Sequence, residues 1–294
     1  MSMQYRSVFR PGLFDGEVVI VTGGGSGLGR CAAHEIASLG AAVALVGRTE
    51  SKLRAVRDEI IACCPGSDGR ISTHVCDIRL EEVVRATVGD IIARHGRIDG
   101  LFNNAGGQFP TALRDLSLKG WDAVVRNNLG GTFVFSREVY TQWMESHGGS
   151  IVNMLADFWG GMPGMGHTGA ARAGTLNFTE TAACEWASAG VRVNAVAPGW
   201  VASSGFDTYA PEFRENLKAF QHRVPLQRHG TESEVSAAVV FLLSEAASFI
   251  TGVAIRIDGG VPNARPTWPL KPHHNSKPYN GFPLYQRPAF LDED

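Results

Sequence analysis

A glycine-rich stretch near the N-terminus constrains the fold of this 294-residue chain more strongly than its composition does. It runs Thr-Gly-Gly-Gly-Ser-Gly-Leu-Gly over 22–29, after the apolar run Val18–Val21 and before a helix-like pattern over 30–39. Glycines let backbone N–H groups approach a phosphate, and a helix N-terminus adds unpaired donors and a positive dipole. This order of strand, turn and helix predicts a site for a dinucleotide pyrophosphate; a plain glycine-rich turn is the alternative.

Strand and helix patterns alternate along the rest of the chain. Apolar runs predict strands over 42–47, 71–75, 100–102, 150–155, 191–196 and 253–257, and helical spacing predicts helices over 51–62, 80–95, 120–146, 170–189 and 232–243. Repeated β–α alternation with right-handed crossovers predicts an α/β fold: one doubly wound parallel sheet of the Rossmann type, with helices on both faces.

The two ends of the chain differ from its middle. Residues 1–14 are interpreted as an N-terminal arm, and 15–260 as a single dinucleotide-binding and catalytic domain. The C-terminal extension, 261–294, holds seven of the fourteen prolines and no apolar periodicity, so we expect no regular helix or central strand there. Its aromatic residues favour ordered packing, against a neighbouring subunit, over disorder.

Charge and composition argue against several classes of function. A net charge of −2 gives no reason to expect nucleic acid or a membrane surface as a partner, and no apolar run reaches the ~18 residues of a membrane span. The five cysteines lack CxxC or Cys/His metal spacing, which predicts reduced thiols and no metal site. No signal core or Ser-Lys-Leu terminus is present, so cytoplasmic location is the expectation.

The end of the second predicted strand bears on the choice of cofactor. Arg48 lies 19 residues after Gly29, where the adenosine ribose is expected. An acid there would accept from a free 2′-hydroxyl and favour NAD(H), whereas a base suits a 2′-phosphate. Arg48 therefore predicts NADP(H), with Thr49 and Arg54 as helpers. A solvated arginine at a strand end is the alternative.

Five motifs in the same order resemble those of the short-chain dehydrogenase/reductase family, over about residues 15–260. Beside the glycine-rich stretch they include Asn-Asn-Ala-Gly over 103–106, Ile-Val-Asn over 151–153 and the segment 191–199. The resemblance implies that Asp77 accepts from the adenine amino group and that 191–199 leads to the nicotinamide. The predicted cofactor-binding residues are Thr22, Gly23, Gly25, Ser26, Gly27, Leu28, Gly29, Arg48, Asp77, Ile78, Asn104, Ala105, Gly106, Arg172, Pro198, Gly199 and Val201.

The resemblance breaks at the catalytic positions. Family members normally use Asn, Ser, Tyr and Lys, in which the tyrosine exchanges the substrate proton and the lysine holds the nicotinamide ribose. Asn128 matches the first position, but Thr168 stands in the tyrosine position and Arg172 in the lysine position. The serine position falls near Leu155-Ala156. Because no tyrosine lies between 140 and 209, realignment does not restore the motif.

These replacements favour one chemistry over another. Alcohol oxidation needs a base poised near working pH, which neither a threonine hydroxyl nor an arginine provides. Reducing the C=C bond of an enoyl thioester instead places negative charge on the thioester oxygen, which positioned donors and a cation stabilise. Thr168 and Arg172, at i and i+4 on one helix face, are the candidates for this donor and this cation.

The segment 167–174 resembles the peroxisomal-type trans-2-enoyl-CoA reductase branch of the family, with the 2,4-dienoyl-CoA reductases close behind. In the latter, a tyrosine after the serine-position strand acts as the acid. The matching region here is Asp-Phe-Trp over 157–159, so Asp157 is the candidate replacement, and a solvated loop aspartate is the alternative. His167 is interpreted as a loop histidine rather than an acid.

The connection 200–223 normally covers the substrate in this family. Its aromatic residues would present an apolar face to an acyl chain or a terpenoid, or simply pack together; they are Phe206, Tyr209, Phe213 and Phe220. The helices over 120–146 and 170–189 are the faces through which family members form dimers and tetramers, which implies a homodimer or homotetramer.

Three functions therefore follow from the residues. The preferred one is an NADP(H)-dependent reductase of enoyl-CoA type acting on a small molecule. The others are a carbonyl reductase or alcohol dehydrogenase with an unusual proton relay, and a non-catalytic dinucleotide-binding subunit.

Overall fold

One parallel sheet of seven strands forms the centre of the molecule. The computed structural model describes residues 4–264 and 267–292. The strands are β1 Val18–Thr22, β2 Ala42–Gly47, β3 Ile71–Val75, β4 Gly100–Asn103, β5 Gly149–Met154, β6 Val191–Pro198 and β7 Ala254–Ile257. Their order across the sheet is β3-β2-β1-β4-β5-β6-β7. Chain order reverses between β1 and β4, and a cleft beyond the carboxyl ends of such strands is where ligands bind in open α/β sheets.

Helices cover both faces of the sheet, as the alternating pattern predicts. They are α1 Gly27–Ser38, α2 Glu50–Cys63, α3 Glu81–His95, α4 Leu118–Val125, α5 Gly131–Val139, α6 Glu145–His147, α7 Gly166–Glu185, α8 Pro211–Phe220 and α9 Glu232–Leu243. Two π-helical turns, Arg126–Gly130 and Tyr140–Met144, join α4, α5 and α6 into one long helix. The predicted fold class is confirmed.

Side chains alternate between two hydrophobic layers along each strand. In β1, Val19 and Val21 pack in the layer under α1, α2 and α9, whereas Ile20 packs in the layer under α3, α5 and α7. All three are at most 1% exposed. A strand buried on both faces is continuously apolar, which explains the run before the glycine-rich turn.

The structure differs from the predicted elements in two places near the cleft. Helix α7 begins at Gly166, so His167 lies in its first turn, buried, and not in a loop. The connection 200–223 contains α8, which the sequence interpretation treated as irregular. Pro211 stands in its first turn, where a missing N–H costs nothing.

The N-terminal arm and the C-terminal extension pack against each other and against the sheet domain. Phe282 is 3% exposed and forms a small cluster with Tyr5 and Cys31 of α1. The Arg6 N–H donates to the Gly281 carbonyl at 2.9 Å. The described part of the extension is therefore ordered on its own chain, and contact with another subunit stays a prediction.

Two further features concern the described residues as a whole. None of their helices combines the length and the apolar character needed to cross a membrane. No group of three or more His, Cys, Asp or Glu among them is arranged to hold a metal ion.

Candidate active site

The glycine-rich turn is anchored to the loop that follows β4. Thr22, at the end of β1, is 1% exposed, and its hydroxyl accepts from the N–H groups of Asn104 and Ala105, both at 3.0 Å. The Asn104 side-chain amide donates to the Thr22 carbonyl at 3.0 Å. These bonds hold two adjacent strand ends in register at the point where the strand order reverses.

Three glycines in this region stand where a side chain would crowd neighbouring protein atoms. Gly23 has φ +66°, and a Cβ there would lie 2.7 Å from the Asn104 amide nitrogen. A Cβ at Gly25 would lie 3.1 Å from Cβ of Lys52, and one at Gly106 would lie 2.8 Å from Nη2 of Arg172. Because Gly23, Gly25 and Gly106 also line the cleft and carry no side chain, their backbone is exposed to it, and a pyrophosphate fits there.

The first turn of α1 completes the phosphate cradle. Ser26 is the N-cap of α1, but its side chain makes no capping hydrogen bond. The N–H groups of the first turn lack partners within a helix, so they remain free to donate to an anion.

Two cations lie at the end of the cleft where the adenosine ribose is expected. Arg48 and Lys52 line the same cavity as Gly23 and Gly25. Arg48 is exposed and has no hydrogen-bonded partner in the part of the chain that the structure describes. Arg54, predicted as a helper, is instead paired with Glu50, with its Nε 2.9 Å from the carboxylate. Lys52 is thus a second candidate for a 2′-phosphate, and the sequence interpretation missed it although it lies in the first turn of α2.

Asp77 follows β3 and keeps its negative charge. Arg79 Nε donates to its carboxylate at 2.8 Å, and the Arg79 backbone N–H donates at 3.1 Å. The Arg79 guanidinium lowers the pKa of Asp77 to about 2. An ionised acceptor next to buried Ile78 is compatible with the predicted adenine contact.

The cavity continues past Gly106 into a space of about 410 Å³ at the carboxyl ends of β4, β5 and β6. Leu28, Pro198, Gly199 and Val201, all predicted to bind the cofactor, line it. Arg172 and Asp157, two of the predicted catalytic residues, line it as well. The fold therefore brings the predicted nicotinamide contacts and two of the four predicted catalytic residues to one space.

Asn128 lies behind this space, in the π-helical turn between α4 and α5. It is fully buried; its Oδ1 accepts from the Gly107 N–H at 3.2 Å, and its Nδ2 donates to the Gly107 carbonyl at 2.8 Å. Such π-turns occur often at functional sites because they redirect a side chain. Asn128 thereby fixes the loop that forms one wall of the cavity.

Arg172 projects from α7 into the wall of the cavity. It is 7% exposed, and its Nη1 donates to the Met154 carbonyl at 2.6 Å. Its Nε is buried without a partner, and no carboxylate in the described chain pairs with it. Burial lowers its pKa to about 10, so the guanidinium stays charged at neutral pH. A buried charge without a counter-charge is costly unless a ligand completes it.

Thr168 lies one helical turn before Arg172 but is not among the residues lining the cavity. It is 1% exposed, and its hydroxyl is 3.5 Å from Nδ1 of His167. The His167 ring packs edge-on against Phe109, with ring centroids 4.6 Å apart. The two predicted donors thus share a helix face, yet only Arg172 lines the cavity.

Asp157 follows β5 and carries an unpartnered carboxylate oxygen. Its Oδ1 is buried and has no hydrogen-bond partner among the described residues. Burial raises the pKa of this carboxyl, and the negative charge of Asp258 raises it further. Asp157 therefore holds a proton more readily than an ordinary aspartate does, which is what a general acid requires.

The lid is the segment 200–223. Some of its aromatic residues face the cavity, and others only pack together behind it. Phe206 and Tyr209 line the cavity. Phe213 and Phe220 pack behind it on Trp200, with ring centroids 6.2 and 4.9 Å from the indole. The roof of the cavity therefore consists of the rings of Trp200, Phe206 and Tyr209, with Phe213 and Phe220 packed behind them.

A family model described as enoyl-(acyl carrier protein) reductase matches residues 23–262. The chain belongs to the short-chain dehydrogenase/reductase family.

Several members of this family are similar over most of their length. A probable 2,4-dienoyl-CoA reductase of Bacillus subtilis is 36% identical over 247 residues, covering 83% of this chain and 96% of the relative. The 3-oxoacyl-(acyl-carrier-protein) reductase FabG of Thermotoga maritima is 32% identical over 249 residues, covering 84% and 98%. The solved structure of the citronellol catabolism dehydrogenase AtuB of Pseudomonas aeruginosa PAO1 is 56% identical, with a TM-score of 0.78, covering 88% and 100%.

Within this short-chain dehydrogenase/reductase, the cofactor motifs are complete and the proton-transfer positions are not. The sequence interpretation also missed Gln108, which donates from its Nε2 to the Tyr209 hydroxyl at 2.7 Å across the cavity. These two residues lie 101 positions apart, and no local pattern signals their contact.

Proposed function

We propose that this protein is an NADP(H)-dependent reductase of the C=C bond of an α,β-unsaturated acyl thioester, with acyl-CoA as the substrate class. The observation that carries the proposal is Arg172. It is a buried guanidinium without a carboxylate partner among the described residues, in the wall of the cavity and in the position of the family's lysine. A fixed cation of this kind suits a developing anion better than it suits a proton relay.

The chemistry balances with the residues present. The net reaction adds one hydride to the β-carbon and one proton to the α-carbon, and the two π electrons of the C=C bond end in the new C–H bond at the α-carbon. A bound NADPH supplies the hydride. Negative charge develops on the thioester oxygen, where Arg172 stabilises it, and Asp157, whose pKa burial raises, is the candidate donor of the proton that the α-carbon takes. No group in this scheme needs to act as a strong base.

The choice of NADP(H) rests on the adenosine end of the cleft. Arg48 and Lys52 line that part of the cavity, and Arg48 has no hydrogen-bonded partner among the described residues. A planar guanidinium matches a phosphate with paired donors. Backbone N–H groups of the glycine-rich turn and of the first turn of α1 hold the pyrophosphate.

The walls of the cavity favour an apolar acyl group. Phe206, Trp200, Met154, Leu155, Met162 and Pro163 are among its lining residues. AtuB, at 56% identity, is a dehydrogenase of citronellol catabolism. We therefore include branched, terpenoid-derived acyl chains in the substrate class.

A second candidate is an alcohol dehydrogenase or carbonyl reductase with an unusual proton relay. The observation that favours it is the similarity to AtuB, a dehydrogenase, and to FabG, a 3-oxoacyl reductase. A non-catalytic dinucleotide-binding subunit is the third candidate, favoured by the replacement of three catalytic positions.

We also propose a homodimer or homotetramer. Phe133 is 41% exposed on α5, and its ring packs edge-on against Phe178 of α7 with centroids 5.8 Å apart. These helices cover the face that the family resemblance assigns to subunit contacts.

The first test compares substrate panels. Crotonyl-CoA, longer enoyl-CoAs and a 3-methyl-branched enoyl-CoA are offered with NADPH, and primary and secondary alcohols with NADP⁺. We expect thioester reduction to exceed alcohol oxidation. Brisk alcohol oxidation with inert thioesters would support the second candidate. Tight NADPH binding without turnover on any panel would support the third.

The second test replaces the cation. Arg172→Ala should lower NADPH affinity and should lower turnover by a factor on the order of 10² or more, because the charge beside the thioester oxygen is lost. Arg172→Lys keeps the charge but not the planar fork of donors and should retain part of the activity. Arg192→Ala is the control: Arg192 is half-buried and, like Arg172, donates to a backbone carbonyl, that of Leu242 at 2.8 Å, but it lies outside the cavity. If both variants lose activity in proportion to lost thermal stability, Arg172 has no special role.

A further inference from the structure

The tyrosine missing from α7 leaves the cavity without its usual phenol, yet another phenol reaches the same space. Tyr209 lines the cavity from the lid, and Gln108 lines it from the loop after β4. The Gln108 side-chain amide donates to the Tyr209 hydroxyl oxygen at 2.7 Å. Gln108 directly follows Gly107, whose N–H and carbonyl are both bonded to Asn128. The phenol is thus held toward the wall that Asn128 stabilises.

The hydrogen bonds of Tyr209 leave its O–H donor free. A tyrosine hydroxyl has one O–H to donate and lone pairs to accept with. Because Gln108 has only N–H hydrogens on its amide nitrogen, the Tyr209 oxygen is the acceptor in their bond. Its own O–H has no acceptor within the described chain. Burial raises the pKa of Tyr209, so the phenol stays protonated at neutral pH.

Three contacts hold Tyr209 in this position. Its hydroxyl is bonded to Gln108, and its ring packs against Phe213 of α8 with centroids 4.9 Å apart. Its carbonyl accepts from Nε of Arg214 at 2.9 Å. A donor fixed before the substrate arrives loses little entropy when it makes its bond, which is the condition for efficient stabilisation of a developing charge.

We propose that Tyr209 donates its O–H to the thioester carbonyl oxygen of the bound substrate and stabilises the enolate together with Arg172, and that Gln108 positions it. This inference rests on the proposed function of thioester reduction. Tyr209 transfers no proton in this role; the proton for the α-carbon still comes from elsewhere in the cavity. Because the donor belongs to the lid, the site is complete only while the lid lies against the loop that carries Gln108.

The first experiment removes the hydroxyl. Tyr209→Phe keeps the ring and its packing, and we expect kcat for crotonyl-CoA reduction to fall by a factor on the order of 10²–10³, as for other lost oxyanion donors. The dissociation constants of NADPH and of saturated butyryl-CoA should change by less than about threefold, because the bond strengthens chiefly as charge develops. Tyr140→Phe is the control, since Tyr140 stacks on Trp186 outside the cavity. It should leave all three quantities unchanged.

The second experiment redirects the O–H. In Gln108→Glu, an ionised carboxylate would accept from Tyr209 and draw its proton away from the substrate. Activity of this variant should show an additional fall as pH rises through the range in which the new carboxyl ionises, beyond the fall that loss of the Asp157 proton produces in the starting protein. Gln108→Leu, which can neither donate nor accept, should lower kcat at every pH without this transition.

The outcomes separate this inference from the function on which it rests. If the starting protein reduces thioesters and Tyr209→Phe keeps its kcat, Tyr209 is only a packing residue and the proposed function stands. If the starting protein reduces no thioester, both proposals are wrong. Tyr209→Phe also contradicts the assigned role if its activity falls because butyryl-CoA binds more weakly or the melting temperature drops, while kcat is unchanged.

Discussion

At the scale of a single side chain, we predict that Arg48 decides which cofactor is bound. A charge-assisted hydrogen bond to a 2′-phosphate contributes about 1.5–3 kcal/mol. We therefore expect Arg48→Ala to weaken NADPH binding by roughly tenfold or more and to leave NADH binding nearly unchanged, as measured by fluorescence titration of both cofactors. Arg54→Ala is the matched control, because Arg54 is already paired with Glu50. Equal weakening of both cofactors by Arg48→Ala, or tighter NADH than NADPH in the starting protein, would contradict the assignment.

Glu232 makes the stability of the fold depend on pH. This first residue of α9 is 5% exposed, and burial raises its pKa from 4.5 to about 7. The folded state therefore holds a proton that the unfolded chain releases above pH 4.5, so stability falls between pH 4.5 and about 7 and stays low above it. The free energy of unfolding falls by at most about 3 kcal/mol. The fall is smaller to the extent that the N-terminus of α9 stabilises the ionised carboxylate.

A neutral replacement should remove this loss. Glu232→Gln should raise the melting temperature by several degrees at pH 8 and change it little at pH 4.5, in scanning calorimetry at the two pH values. The neighbouring Glu234→Gln is the control with the opposite sign, because Glu234 is bonded to Arg228 at 2.7 Å. It should lower the melting temperature at pH 8. An equal effect of Glu232→Gln at both pH values would show that its carboxyl does not titrate in this range.

Among the elements, the lid helix carries a signal that sequence interpretation overlooked. Phe213, Leu217 and Phe220 follow one another at helical spacing, i, i+4 and i+7, and Pro211 stands at the helix start. Their apolar face packs on Trp200, so α8 supports the roof of the cavity without lining it. A long helix was predicted over 120–146, and the structure has it over 118–147. Its two π-turns were not predicted, because the same residues fit a regular helix equally well.

The start of α7 matters more to the site than its end. The prediction placed it at 170, whereas the structure begins it at Gly166, with no side-chain cap to mark the boundary. Those extra residues place His167 and Thr168 in the buried first turn of the helix. Helix boundaries depend on caps and local contacts, so a periodic pattern locates them less well than it locates the body of a helix.

At the scale of the whole molecule, the two chain ends form one structure on α1 and α9. Phe282 is buried against Tyr5, and the Ser233 hydroxyl of α9 accepts from the N–H groups of Gly281 and Phe282, both at 3.1 Å. Deleting 268–294 should therefore lower the melting temperature, and Phe282→Ala alone should cost about 3–5 kcal/mol. Because these contacts lie within one chain, we expect the lower melting temperature whether or not the extension also contacts another subunit, and light scattering shows whether the mass of the assembly falls as well.

A matched substitution serves as the control for this experiment. Phe249 is 103% exposed, so Phe249→Ala should leave the melting temperature unchanged. A melting curve unaffected by the deletion would mean that the extension contributes nothing to stability. A smaller assembly after the deletion would instead show that the extension also contacts another subunit.

Local patterns were sufficient for the fold and for locating the candidate cofactor cleft. A strand that is apolar throughout, a glycine turn and the 3.6-residue period of a helix are encoded in neighbouring residues, so the sheet and the positions of Gly23, Arg48 and Asn104 follow from the chain order. The departure from the Tyr/Lys pattern was equally visible, because it is a matter of which residues occupy known positions.

Tertiary packing alone decided how the altered site is built. Arg172 has no counter-charge among the described residues, Thr168 is turned out of the cavity wall, and Tyr209 meets Gln108 from 101 positions away. Each of these facts depends on which distant side chains the fold brings within hydrogen-bond distance, and on how much water it excludes between them. The order of residues along the chain reveals neither these contacts nor the exclusion of water, since both arise only when strands, helices and lid are packed together.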